Sequence, residues 1–311
     1  MEVPAPEDLV TVAVITRRRP AELARLIRRL GDQELADDLR LVGALLIVDN
    51  DPPGSAKEAI AEAPSSLPFR YVRHARRGLS TARNLAVELA ETPWLAFLDD
   101  DETPEAGWLL ELLATAKATG APIVGGPVLA RFISEPPSWA IEGGFFDHTR
   151  PVASRSPTDV VGAGNLLLHR GLTASMGTLF DPAFDRLGGE DSHFCHRARR
   201  LGHQVVWTND SVVREWITPA RVRPKFLLKR GFRIGCVQTT RDVALLSVDR
   251  SVGRLRLRRL RAGATEILRG TLDAAKAARG EGRVGLIKAA VRAAHGLGMA
   301  AGAAGVRFRH Y

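Results

Sequence analysis

Residues 9–98 alternate between short apolar runs and segments of helical spacing, and this alternation limits the possible folds more than any other feature of the chain. Residues 9–16 (LVTVAVIT) are rich in β-branched side chains and read as a first buried strand. Pro20 opens a helix to about Leu30, with Leu23, Leu26, Ile27 and Leu30 on one face. Residues 42–48 form a second apolar strand ending in Asp49-Asn50-Asp51. A short helix is expected near residues 56–62 and a third strand over 69–73. Gly78-Leu79-Ser80 turns into a helix with Ser80 as its N-cap and with Leu85 and Leu89 inward. Residues 94–98 make a fourth strand. Strands this apolar need both faces covered, so the pattern predicts an α/β chain with a mostly parallel, doubly wound sheet flanked by helices.

The fourth strand runs directly into Asp99, Asp100 and Asp101. In open α/β sheets the carboxyl ends of strands face the ligand crevice. Three adjacent carboxylates repel one another and call for a positive partner, which a hard divalent cation with phosphate oxygens would supply. A solvated acidic turn is the plainer alternative. The context favours a site, because a strand leads in and Pro104 with Glu105 is expected to open a helix behind it. Asp49 ends the second strand, so two strand ends offer acids to one crevice. Unpaired buried carboxylates are costly, which argues against core positions for them. No GxGxxG or P-loop pattern follows the first strand, so phosphate recognition would rest on metal and arginine.

Further on, residues 123–132 read as one strand and residues 135–139 as a loop. Residues 159–169 read as a strand with Gly162 and Gly164 at its centre. Glycine there signals either a plain bulge or close approach of a backbone or ligand. Gly188 and Gly189 form a turn that presents Glu190 and Asp191 at the start of a helix, where the dipole alone would also favour acids. His193 and His196 on that helix lack further ligand spacing and read as partly exposed; Cys195 reads as a small core residue.

The net charge of +9 is unevenly placed: residues 214–311 hold 22 Lys and Arg against 6 Asp and Glu, leaving −7 on the rest. The tail reads as basic helices. Residues 254–261 suit an amphipathic helix better than a strand, and residues 284–306 suit either a membrane interface or packing on the body. Such a charge split points to an anionic surface, a membrane or a nucleic acid. The sparse aromatics do not interleave with the basic residues, so no nucleic-acid partner is expected. Only Cys195 and Cys236 occur, which suits a reducing cytosol. Neither a signal peptide nor an apolar run of about 18 residues is evident.

Taken in order, Val14-Ile-Thr16-Arg-Arg-Arg19-Pro20, Ile47-Val-Asp49-Asn50, Gly78-Leu-Ser-Thr-Ala-Arg83-Asn84, Phe97-Leu-Asp99-Asp-Asp101, Gly162-Ala-Gly-Asn165 and Gly189-Glu190-Asp191 resemble the family 2 glycosyltransferases of GT-A fold. The resemblance covers roughly residues 10–235, and the ending Arg307-Phe-Arg-His-Tyr311 is similar to bacterial exopolysaccharide transferases of the succinoglycan type. It implies a catalytic domain over residues 1–235, with a nucleotide-binding half at about 9–101 and an acceptor half at about 102–235, then a basic helical region over 236–311. It also implies roles. Asp49 would bind the base of a nucleotide-sugar, usually uracil, with Thr16 and Arg83 in the same pocket. Asp99 would meet the ribose side and join Asp101 on a divalent cation, Mn²⁺ or Mg²⁺, with Asp100 between them. Asp191 would be the catalytic base, supported by Glu190, and Asn165 would border sugar and acceptor.

Those roles suit an inverting transfer of one hexose from a nucleotide-diphosphate sugar to a saccharide or polyprenyl-linked oligosaccharide acceptor, in an enzyme peripheral to the inner membrane face of the cytoplasm. The leaving diphosphate needs its charge neutralised, and the acceptor hydroxyl needs a base. Two departures stand out: Arg18 occupies a position that is often Asn, and Arg214-Glu215-Trp216 stands where a metal-assisting His is common. The processive Gln-x-x-Arg-Trp signature is missing, which predicts single-sugar transfer. The alternatives are a sugar-phosphate nucleotidyltransferase, which would carry a glycine-rich loop after the first strand, and a non-catalytic module binding membrane or polysaccharide through the basic tail.

Overall fold

The computed structural model describes residues 4–62, 69–246 and 251–308, so the last three residues of the Arg307–Tyr311 ending lie outside the described residues. The chain divides into two compact units. The first runs to Arg131 and adds Asp147–Arg186 and Glu190–Trp216; the second comprises Phe132–Phe146, Leu187–Gly189 and the chain from Ile217 on.

The first unit follows the alternation read from the sequence. Its elements are β1 (Val10–Thr16), α1 (Pro20–Leu30), α2 (Ala36–Leu39), β2 (Val42–Asp49), α3 (Lys57–Glu62), β3 (Phe69–Arg73), α4 (Leu79–Leu89) and β4 (Trp94–Asp99). β5 (Glu102–Pro104), α5 (Trp108–Thr119), β6 (Ile123–Gly125) and β7 (Val128–Phe132) follow, and α6 (Ser138–Glu142) belongs to the second unit. β8 (Ser156–Pro157), β9 (Asn165–His169), α7 (Leu172–Met176), α8 (Glu190–Arg200), β10 (Val205–Trp207) and β11 (Val213–Ile217) complete it. Among the described residues the main sheet has strand order β3-β2-β1-β4-β9-β6-β10-β8. β3, β2, β1 and β4 run parallel, β9 is antiparallel to both β4 and β6, and β10 is parallel to β6.

Side-chain alternation along the strands divides the core into two layers. Val12, Val14, Leu45, Ile47, Ala96 and Leu98 face one layer, which α1 closes with Leu23, Leu26, Ile27 and Leu30, and α5 closes with Trp108, Leu109 and Leu112. Ala13, Ile15, Leu46, Val48, Leu95 and Phe97 face the other, covered by Ala82, Ala86 and Val87 of α4 and by Phe194, Cys195 and Ala198 of α8. Both faces are buried, as strands of this composition require.

Several local expectations are corrected. Ser80 lies inside α4, not at its cap; the N-cap is Gly78, and Ser80 is fully buried. Pro104 closes β5, whose Thr103 pairs with Arg214 of β11. α5 starts only at Trp108, because Asp38, far away in sequence, supplies its N-terminal acceptors to Gly107 N, Leu109 N and Leu110 N at 2.8, 2.8 and 3.1 Å. The strand expected over residues 123–132 splits at Gly126-Pro127. β6 stays in the main sheet and β7 joins the smaller β5-β11-β7 sheet, since Pro127 offers no N–H to continue a ladder. The strand expected over 159–169 is a strand only from Asn165. Residues 138–142, expected partly as loop, form α6 behind Pro137.

In the second unit α9 (Pro224–Ala244), α10 (Val252–Lys276) and α11 (Gly282–Ala303) pack with α11 against both others. The contacts are backbone-close. A Cβ on Gly263 would meet Gly296 O at 2.6 Å and one on Gly270 would meet Ala289 O at 2.8 Å, so α10 and α11 run antiparallel. Gly302 of α11 sits 2.9 Å from Cys236 O of α9 by the same measure, and Thr239 Oγ1 donates to Met299 O at 3.2 Å. α11 is thus packed between helices of its own unit. No described helix is long and apolar enough to cross a membrane.

Candidate active site

Parallel pairing sets the site. Thr16 lies level with Asp49 across β1–β2, and Ile15 lies level with Asp99 across β1–β4, so the acids reach the same carboxyl end of the sheet. The Thr16 hydroxyl donates to Asp100 Oδ2 at 2.8 Å. Arg19, directly before the α1 proline, places Nη1 2.8 Å from Asp100 Oδ1 and 3.0 Å from Asp101 Oδ2. Its neighbour Arg18 takes the left-handed backbone conformation, φ 56°, and turns Nε to Asp51 Oδ1 at 2.9 Å. The two arginines therefore serve different strand ends.

The acids after β4 are crowded. Burial outweighs the Arg19 guanidinium and pushes the Asp100 carboxyl up to about 6, with Asp101 adding repulsion. Glu102 is held well above the usual carboxylate range, by burial first and then by Asp99 and Asp101. Its Oε2 accepts from Asp99 N at 2.9 Å. Its carboxylate occupies the space where a Cβ on Gly164 would stand, so the glycine of the Gly162-Ala-Gly164 turn admits a protein carboxylate.

The end of β2 is different. Asp49 is fully buried, and its oxygens accept from Asp51 N at 3.1 Å, Ala56 N at 2.8 Å and Tyr71 OH at 3.1 Å. Burial, then the Asp49 charge, pushes the Tyr71 phenol up to about 12. Asn50 ties down the approach to α4, donating to Arg76 O at 2.7 Å and accepting from Gly78 N at 3.0 Å. Asp185 Oδ1 accepts from Thr81 N at 2.9 Å.

Gly78-Leu-Ser-Thr-Ala-Arg83-Asn84 links these strand ends to α8. Asn84 bonds both the carbonyl and the N–H of Phe180, at 2.6 and 2.9 Å. Arg83 is buried, with Nη1 on Glu190 Oε1 and Nη2 3.4 Å from Asp99 Oδ1. Gly188 and Gly189, at φ 75° and 83°, turn the chain into α8 in a conformation that other residues rarely adopt. Glu190 is buried; burial raises its carboxyl despite Arg83, and Oε2 has no hydrogen-bond partner among the described residues. Asp191 is half-buried, with Oδ1 2.6 Å from Ser192 N, and its charge acts on both Glu190 and Asp99.

Thr16, Arg83, Asp99, Asp100, Asp101, Glu190 and Asp191 thus form one connected group. Asp49 shares the sheet end but turns to its own loop. Asn165 stands apart: it is fully buried, accepts from Trp108 Nε1 at 3.1 Å and donates to Pro127 O and Ser211 O at 3.1 and 2.8 Å. His193, expected to be partly exposed, is buried and stacked on Phe184 at 4.7 Å between centroids. Cys195 is a core residue whose thiol burial pushes up to about 12. Arg19, Glu102, Tyr71 and Asp185 had no assigned role from sequence. An arginine just before a helix-opening proline, and a fourth acid after three aspartates, were the only signals for the first two.

Among the described residues no group of three or more His, Cys, Asp or Glu is disposed to hold a metal ion. Asp99, with its side chain 45% exposed, and Asp101 offer hard oxygens from one turn. Two carboxylates fit a cation that keeps phosphate and water ligands, and do not make an all-protein cage. Trp216, near the place where a third ligand was sought, bonds Asp101 O through its backbone N–H at 2.9 Å and lies between Arg25 and Arg131, 4.5 and 4.6 Å from its ring.

The model of glycosyl transferase family 2 matches residues 11–173. The chain is 33% identical over 228 residues to the succinoglycan biosynthesis protein ExoM of Rhizobium meliloti, covering 73% of this chain and 72% of that protein. It is 29% identical over 195 residues to the glycosyltransferase AglE of Haloferax volcanii, 61% of each chain. Two solved structures share the fold. S. aureus TarS 1–349 in complex with UDP has a TM-score of 0.51 at 12% identity, over 92% of this chain and 90% of that one. GalNAc-T7 with UDP, GalNAc and Mn²⁺ has 0.52 at 14% identity, over 74% of this chain and 50% of that one.

Proposed function

The chain belongs to glycosyl transferase family 2, and on that premise we propose that it moves one hexose from a UDP-sugar to a saccharide or polyprenyl-linked oligosaccharide, with inversion, in cell-surface polysaccharide synthesis at the inner membrane face. The observation that carries the proposal is the connected group at the β1 and β4 ends: one side holds Arg19 with Asp99–Asp101, and the other holds Asp191, joined through Arg83 and Glu190. The exopolysaccharide relative supports the pathway class, and the UDP complexes of the fold relatives support the donor class.

In this reading the residues divide the work. Thr16 and Arg19 fix the Asp100–Asp101 turn beneath the diphosphate. Asp49 serves the nucleotide pocket by holding Tyr71 and the loop to Ala56. Arg83 positions Glu190 and Asp99. Asp101 and Asp99 would hold a divalent cation, Mn²⁺ or Mg²⁺, which supplies Lewis-acid neutralisation of the leaving diphosphate when bound. Asp191, half-open at the first turn of α8, takes the proton of the acceptor hydroxyl as its oxygen bonds the anomeric carbon and the bond to the diphosphate oxygen breaks. One in-line displacement inverts that carbon. Asn165 borders the acceptor side indirectly, by fixing the turn that carries Gly164 beside Glu102. The catalytic domain is taken as residues 1–235 and the basic helical region as 236–311.

Calorimetric titration with UDP, GDP, dTDP and CMP, with and without Mn²⁺, tests the proposal. Metal-dependent binding of UDP, weakened at least about tenfold in Asp101→Ala, is expected. A folded protein that binds none of the four would remove the transferase reading and favour a non-catalytic module.

A further inference from the structure

The outer face of α10 carries four exposed leucines. Leu257, Leu260, Leu268 and Leu272 are 49%, 40%, 61% and 54% exposed. At ~100° per residue they fall within an arc of ~120°, along ~22 Å of helix. Arg254, Arg258, Arg261, Arg269 and Lys276, all exposed, fill the overlapping and adjoining arc. The two acids of the helix lie on the other side. Glu266 pairs with Arg292 Nε of α11 at 3.1 Å and with Arg269 Nη1 of its own helix at 3.0 Å, and Asp273 pairs with Arg292 Nη1. Arg254, Arg258, Arg261 and Lys276 make no ion pair among the described residues. The glycines Gly263 and Gly270 press α10 onto α11, so the leucines are not needed to close the helix pack.

We propose that this leucine stripe, bordered by exposed arginines, is the element that docks the protein on an anionic lipid bilayer, with α10 lying in the interface plane. The inference rests on the membrane-face part of the reading above and is independent of the transfer chemistry. Leucines reach for an apolar phase, and the flanking guanidiniums match phosphate headgroups. An aqueous acidic partner would leave the leucines wet. A second copy of the chain would bring two sets of these arginines and Lys276 into one interface, with no acid on that face to offset them. Nucleic acid would likewise leave the leucines wet, and α10 carries no aromatic residue to stack on bases.

Cosedimentation of the full chain with phosphatidylcholine vesicles, with and without phosphatidylglycerol, tests this. Binding is expected only with phosphatidylglycerol and should weaken in high salt. The double variant Leu268→Glu with Leu272→Glu should abolish it. The triple variant Arg254→Glu, Arg258→Glu, Arg261→Glu should weaken it by roughly fivefold per residue, on the order of a hundredfold together. Both should keep wild-type UDP titrations. A Leu268→Trp variant should blue-shift its emission on those vesicles, an independent readout that leaves the face apolar. Wild-type binding retained by both charged variants would overturn the assignment to α10 while leaving membrane docking in place. No binding of the wild type to either vesicle would overturn both. A solution dimer that the double leucine variant dissociates would assign the face to a second copy and overturn the proposal.

Discussion

The ends of β2 and β4 are topologically equivalent, two positions apart in the parallel part of one sheet, and the chain treats their acids in opposite ways. At the β2 end Asp49 is enclosed by neutral donors that match its oxygens, two backbone N–H groups and a phenol. At the β4 end Arg19 meets Asp100 and Asp101, Arg83 meets Asp99, Glu102 accepts from Asp99 N, and burial drives Asp100 and Glu102 upward. The first arrangement is complete within the protein. The second crowds four carboxyls into one turn and holds two of them above their ordinary range, and perturbed acids gathered at a strand end mark a candidate site. A carboxylate at a strand end is therefore not a functional residue by position alone; what separates the two is whether the protein has already met its demands.

The largest test lies at the crowded end. Asp191→Asn keeps the shape of α8 and removes the base, so kcat should fall by about a hundredfold to ten-thousandfold while UDP affinity holds. Unchanged turnover would take Asp191 out of the mechanism and leave the β4 acids without a catalytic partner. The next test addresses the quiet end. Asp49→Ala leaves Ala56 N, Asp51 N and the Tyr71 hydroxyl without their acceptor, at about 1–3 kcal/mol for each buried group left unpaired. With partial relief from water, a loss of about 3 kcal/mol is expected, read as a lowered midpoint in urea. Full stability with lost UDP binding would reverse the comparison, making Asp49 the residue that faces the ligand.

The same contrast explains what the sequence could disclose. α1 was legible residue by residue, because Leu23, Leu26, Ile27 and Leu30 carry a period that only one buried face can satisfy. The parallel order of β1 to β4 followed from apolar runs separated by helices. Partnership was not legible. Asp49 and Asp100 look alike in sequence, and only the fold brings Tyr71 to one and Arg19 to the other. Asp38 caps α5 from about seventy residues away, and Asn165 binds Trp108 and Ser211 across comparable gaps, so neither could be told from a surface amide or acid. In the tail, basic helices were readable from composition. The seating of α11 was not, because it depends on glycines of α10 and α11 meeting across a turn.

The smallest effect sharpens the comparison through pH. The folded Asp100 carboxyl titrates at about 6 against its ordinary 3.8, so the folded state binds this proton more tightly than the unfolded chain does. Its contribution to stability is fully present below about pH 4 and is lost as pH rises through 6. Asp100→Asn removes that loss and keeps one oxygen for Arg19, while its amide donates to the Thr16 hydroxyl, which can turn to accept. The variant should match the wild type near pH 4 and exceed it by about 3 kcal/mol at pH 8, with the gap opening between those values. If Asp100→Asn instead destabilised the protein equally at both pH values, the Arg19 and Thr16 contacts would outweigh burial, and the β4 end would be as complete in itself as the β2 end.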